Sequence, residues 1–169
     1  MSKTSIPMQN HKKNLVVMGI DPGSVRAGYG ILKKEGHKLV HLENGLIKIR
    51  KSGDNGEKLC SLEKELKILI SKYSPDIVGL EKLFASKNLK TVIEVAEARG
   101  VIRKVVSESG IKLKELAPQT VKMSVTGSGR ADKKSVSKMV GLMLNIETRF
   151  IIDDATDALA IAIASSDEI

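Results

Sequence analysis

The stretch "VVMGIDPGSVRAGYGIL", residues 16–32, decides how the rest of the chain is read. Leu15 to Ile20 is an unbroken apolar run of strand length, the pattern of a strand buried on both faces. It ends on a carboxylate, Asp21, directly before a turn made of Pro22 and Gly23. "AGYGILKKEG" and "KLVHLENGLIKI" then read as two more strands joined by a turn at Glu35 to His37, so the chain opens as an antiparallel meander.

Outward from that stretch the pattern changes. "SGDNGE" reads as a loop, and Leu59 to Tyr73 has helical spacing through Leu59, Leu62, Leu66, Leu69 and Ile70, stopped by Ser74 and Pro75. "DIVGLE" is a second short buried strand and ends on Glu81. From Lys87 to Ser107 a long helix carries Val92, Val95, Ala96, Ile102 and Val106 on a broad apolar face, with Gly110 just past its end. "IKLKEL" alternates as a strand, Pro118 opens a helix as an N1 proline can, and "TGSGRADKK" is a glycine-punctuated basic loop. Helices from Lys133 to Leu144 and from about Asp154 to Ser165 follow. This order predicts an α/β fold: a mixed sheet, antiparallel over its first three strands and parallel thereafter, with helices on both faces.

A chain of 169 residues buries one good core, so residues 15–169 are expected to form a single domain. Residues 1–14, polar and basic with no apolar stretch behind the charges, read as a disordered tail and not as a secretion signal. The longest apolar run, Ala158 to Ala164, is far shorter than the roughly 20 residues of a membrane span, so a soluble protein with no membrane partner is expected. Cys60 is the one cysteine, so no internal disulfide forms, no metal-site spacing exists around it, and the cytoplasm is the natural compartment. Twenty-eight Lys plus Arg against 20 Asp plus Glu leave a net charge of +8. That balance suits a polyanion such as nucleic acid, or simply a solvated basic surface.

The acids narrow the choice. In a sheet of this kind functional groups gather at the carboxyl ends of the parallel strands, where Asp21 and Glu81 both fall. Asp154 and Asp157 lie three residues apart and share one face of the last helix. Taken singly, each has an ordinary explanation: first-turn acids cap helices, and Asp-Pro-Gly starts turns. Glu81 has less excuse, because Glu is a poor turn former and "LEKLF" holds no Gly or Pro. Burying several carboxylates together is costly without a cation. Hard oxygen ligands suit Mg²⁺, and two such ions roughly 4 Å apart would clamp the attacking and leaving oxygens of a phosphodiester displacement.

The cations are grouped as such a site requires. Lys122 follows Pro118; Arg130, Lys133 and Lys134 surround the glycine loop; Lys87 and Lys90 follow Glu81. Lys133 and Lys134 start a helix, where the dipole disfavours cations, so they suit a phosphate better than they suit the helix. Phe84, three residues after Glu81 in a polar segment, is either a core residue or a platform for an unpaired base.

Four segments together, "GIDPGSVRAGYGIL", "LEKLFASKN" with "EARG" downstream, "APQTVKMSVTGSGRADKKSV" and "DDATDALAIAIA", resemble the RuvC family of bacterial Holliday-junction resolvases in order and spacing, over about Leu15 to Ser165. The resemblance implies a ribonuclease-H-like fold and makes Asp21, Glu81, Asp154 and Asp157 the catalytic, metal-binding tetrad. The four acids are expected to hold Mg²⁺, two ions per site with Mn²⁺ able to substitute. The resemblance matches Phe84 to an aromatic used at the junction centre, and Lys122 and Lys133 to residues contacting DNA near the scissile phosphate; Lys87 and Arg130 are expected to join them. It further implies a homodimer that makes two symmetric nicks in a four-way DNA junction and works with RuvA and RuvB. Asp153, one acid more than the pattern, leaves a one-residue ambiguity that the Asp154-x-x-Asp157 register resolves.

Three other readings stand beside this one. The opening stretch also looks like the first phosphate loop of actin-like and sugar-kinase ATPases, which need a second such domain that this length does not hold. A non-catalytic nucleic-acid module would explain the charge but not acids at two strand ends and a helix face. A different ribonuclease-H-like nuclease, acting on RNA or an RNA–DNA hybrid, shares every acid.

Overall fold

A computed structural model describes residues 14–49, 54–83 and 89–167. The expectations for the N-terminal tail, Phe84 and Lys87 lie outside the described residues. The opening stretch forms β1 (Leu15–Asp21) and β2 (Arg26–Glu35), which pair antiparallel with Asp21 opposite Gly28. A turn through Gly36, at φ +63°, returns the chain as β3 (Lys38–Lys48). β4 (Ile77–Glu81) and β5 (Lys112–Leu116) add on the other side of β1, both parallel, so the sheet order is β3-β2-β1-β4-β5. The predicted mixed sheet is the one observed.

The helices are α1 (Asn55–Tyr73), α2 (Leu89–Glu108), α3 (Pro118–Thr126), α4 (Lys133–Leu144) and α5 (Asp153–Ser166), with a 3₁₀ turn at Thr148–Phe150 before α5. α1 begins four residues before the expected Leu59, inside the segment read as a loop. The reason is local: the Asp54 carboxylate accepts from the Glu57 amide at 2.8 Å and caps the helix. Its end is as expected, with Ser74 left-handed at φ 46° and its amide donating to the Ile70 carbonyl.

Alternation in the central strands sends side chains to two cores. Val17, Leu32 and Ile77 face α3, α4 and α5, meeting Val121, Val140 and Leu159. Their neighbours Met18, Ile31 and Val78 face α1 and α2, meeting Leu62, Leu66 and Ile102. The unbroken run at Leu15 to Ile20 reads apolar throughout because both faces are covered.

One further feature places the site. Gly30, Gly19 and Gly79 are register partners across β2, β1 and β4 and present one face to α5. A methyl group on Gly19 would overlap the Ala158 carbonyl oxygen and come within 2.5 Å of the Ala162 amide; one on Gly79 would overlap the Ser165 hydroxyl. Without Cβ atoms in this row α5 lies directly on the sheet backbone. At its far end the helix is tied down by Lys114, whose Nζ donates to the Ser165 carbonyl at 2.8 Å, and by Lys34, which donates to that of Ser166.

Candidate active site

β1 and β4 run side by side and parallel, so their last residues, Asp21 and Glu81, emerge at the same edge of the sheet. Both have the strand parity of the glycine row and point toward α5. Gly28, opposite Asp21, lies directly beneath the Asp154 backbone, which brings the first turn of α5 over the strand ends. The ordinary capping role of the α5 acids is not the one observed. The N-cap of α5 is Ile152, with no side-chain cap bond, and Asp154 and Asp157 turn to cations instead.

Asp21, Glu81 and Asp157 line one cleft together with Lys122 and Lys133, floored by Val121, Val136 and Ile161. Lys133, the first residue of α4, reaches Asp157 at 3.0 Å and Asp153 at 3.5 Å. Arg26, at the start of β2, pairs with Asp154 on the other flank. Sequence reasoning gave Arg26 no role; the strand register that seats it beneath α5 was the missing information. Arg130 is exposed in the turn before α4 and does not line the cleft. Asp153, the extra acid, is the outer partner of Lys133.

The electrostatics of the cleft are those of too many acids for their cations. Burial, then the charges of Asp157, Glu81 and Asp154, push the Asp21 carboxyl up from 3.8 to about 7, against a smaller opposing pull from Lys133. Burial and Asp157 raise Glu81, offset in part by Arg99 and Lys122. Burial also raises Asp157, and its bond to Lys133 works the other way. The same bond raises Lys133 and keeps it charged.

This donor set fits a divalent cation on chemical grounds. Carboxylate oxygens from three rigid elements surround a cleft that resists holding all its charge alone, and a hard dication supplies what is missing. Among the described residues no three acids converge on one point as a finished ligand shell. Lys133 and Arg26 hold Asp157 and Asp154 in ion pairs at the flanks.

The family model "Crossover junction endodeoxyribonuclease RuvC" matches residues 17–165. The chain belongs to the RuvC family. A crossover junction endodeoxyribonuclease RuvC from Thermosipho melanesiensis is 44% identical over 146 residues, covering 86% of this chain and 93% of that protein. One from Ruminiclostridium cellulolyticum is 42% identical over 149 residues, 88% of this chain and 90% of the relative. Among solved structures, T. thermophilus RuvC in complex with Holliday junction substrate superposes with a TM-score of 0.83 at 26% identity, covering 89% of this chain and 92% of that one. The yeast mitochondrial Holliday junction resolvase Ydc2, at 17% identity and a TM-score of 0.66, shares the fold. The RuvC match spans both strand-end acids, the cations of the cleft and the α5 pair.

Proposed function

We propose that this chain is a metal-dependent endodeoxyribonuclease that resolves Holliday junctions by paired symmetric nicks in DNA recombination and repair. The observation that carries the reading is the cleft itself, lined by Asp21, Glu81 and Asp157, from β1, β4 and α5, together with Lys122 and Lys133. Asp21, Glu81, Asp154 and Asp157 would hold two Mg²⁺ ions. When bound, the metal supplies Lewis-acid activation of water and charge neutralisation at the leaving 3′ oxygen, giving a 5′ phosphate and a 3′ hydroxyl.

The chain's own residues do the rest. Lys133, paired with Asp157 in the cleft, offsets charge developing on the phosphate, and Lys122, which lines the same cleft, holds the backbone. The positive end of the α5 dipole, left without a side-chain cap, faces the same anion. Arg130 and Lys87 would hold the flanking arms, and Phe84 would stack on an unpaired base at the crossover.

Two nicks need two sites, so the working unit is a homodimer. In keeping with this, Leu89 and Ile93, one turn apart on α2, are 71% and 51% exposed and offer an apolar patch to a second copy. RuvA and RuvB are the partners that family membership suggests, and residues 15–169 are taken as one nuclease domain behind a polar tail. No described helix is long and apolar enough to cross a membrane, and the cytoplasm, where the DNA is, is the proposed location.

A labelled four-way junction, a matched linear duplex and an RNA–DNA hybrid, each with Mg²⁺ and then EDTA, test the reading. Paired nicks confined to the junction and lost in EDTA are expected. Equal cutting of the duplex or hybrid would move the function to another ribonuclease-H-like nuclease.

A further inference from the structure

Beside the acidic cleft lies a second cavity that shares Glu81 and Pro118 with it and is otherwise walled mainly by α2. Arg99 lines it. Arg99 lies on the apolar face of α2, among Ala98, Ile102 and Val106, and is only 8% exposed. A residue of that burial on that face is ordinarily Leu or Val, because a guanidinium taken out of water is costly unless each of its donors is used. One is: Nη2 donates to Glu115 Oε1 at 2.5 Å. The other terminal nitrogen, Nη1, is buried with no acceptor. Glu115 lies on β5 beside Leu80 and shares its α2 face of the sheet, whereas Glu81, at the end of β4, has the parity of the α5 face; Arg99 and Glu81 come together at the strand end, where both line this cavity. The two groups feel each other's charge.

We infer that Arg99 is a positioning residue for Glu81: anchored through Nη2 by Glu115, it donates its second arm, Nη1, to the Glu81 carboxylate when that carboxylate turns to a divalent metal. The inference rests on the reading of Glu81 as a metal-holding acid. Glu81 needs such a support more than Asp21 does, since it has one more rotatable bond to freeze at a strand end. A bidentate fork with one tine fixed to the sheet supplies that restraint, which a lysine's point charge does not. The arrangement Glu115–Arg99–Glu81 runs across β5, α2 and β4. It acts on the metal only through the orientation of one ligand.

The test uses Mn²⁺ binding, followed by electron paramagnetic resonance, alongside the thermal midpoint and nicking rate of the full chain. Arg99→Met is expected to keep its thermal midpoint in EDTA while weakening Mn²⁺ affinity about tenfold or more. Arg99→Lys, which folds with a charge in place, should recover only part of that loss. Glu115→Gln should weaken Mn²⁺ in the same direction, and the double variant Arg99→Met, Glu115→Gln should be no worse than Arg99→Met alone, because both act along one path. Wild-type Mn²⁺ affinity in Arg99→Met, or in Arg99→Lys should the methionine variant not fold, overturns the inference and leaves Arg99 a packing residue. Fully additive losses in the double variant also overturn it. If the wild-type chain binds no Mn²⁺, or Asp21→Asn binds it equally well, the metal-site reading itself fails.

Discussion

Replacing Asp21 by Asn should make the metal-free protein more stable at pH 8 while abolishing nicking. The Asp21 carboxyl is carried from 3.8 to about 7 by burial and by three neighbouring acids. A group raised in the folded state contributes stability that is fully present below its unfolded value and is lost as pH rises toward the folded one. For Asp21 that window runs from about pH 4 to about pH 7. Between pH 5 and pH 8 the loss is about 3 kcal/mol, and across the whole window about 4 kcal/mol, at the roughly 1.4 kcal/mol that accompanies each tenfold change in proton affinity. Glu81 and Asp157 are raised as well and add to the loss with the same sign. Asn keeps the shape and drops the charge, so it should recover a large part of the Asp21 share at pH 8 and almost none below pH 4. Urea denaturation in EDTA at pH 5 and pH 8, for both proteins, reads this directly. The reasoning is refuted if wild-type stability is flat across that range, or if Asp21→Asn is no more stable than wild type at pH 8.

Two further outcomes follow from the same geometry. Gly19→Ala places a methyl group against backbone atoms of Ala158 and Ala162 that cannot rotate away; it should cost about 3 kcal/mol of stability and, by lifting α5 off the strand ends, about 10²-fold in nicking. Denaturation and single-turnover nicking check both effects, and wild-type behaviour in either would mean that the row does not seat the helix as described. Lys133→Met should lower nicking by about 10²-fold with little effect on junction affinity, since one neutralised cation in a chain of charge +8 is a small part of the attraction. A gel-shift titration beside the nicking rate separates the two effects, and an equal drop in both would make Lys133 a binding residue only.

The fold was legible because its signals are local. An apolar run ending in Asp-Pro-Gly, a turn with Gly36 and a helix spaced through Leu62 and Leu66 each declare themselves within a dozen residues. The start of α1 is less legible, because its cap, Asp54 three residues ahead of Glu57, lies among loop-forming residues. The four acids were also legible as positions, because strand ends and a helix turn can be counted. Their cations were less so. Lys133 could be placed at a helix start, but Arg26 becomes a partner of Asp154 only once the β1–β2 register and the seat of α5 are known. Arg99 carries a signal in the sequence, a charge on an otherwise apolar helical face, but its partner Glu115 lies on a strand 16 residues on and is found only in the fold. Gly19, Gly30 and Gly79 look unremarkable along the chain and acquire meaning only as neighbours across three strands.

The seating of α5 on that row also sets a timetable. The helix that carries Asp154 and Asp157 is synthesised after all five strands and the other helices, yet it lies at the centre of the sheet. A nascent chain that ends before α5 holds two of the four acids proposed to bind metal and an uncovered row of glycines. Long-range docking of this kind is slow relative to local structure. If Asp154 and Asp157 act as proposed, a copy released before α5 is made should be unable to nick DNA.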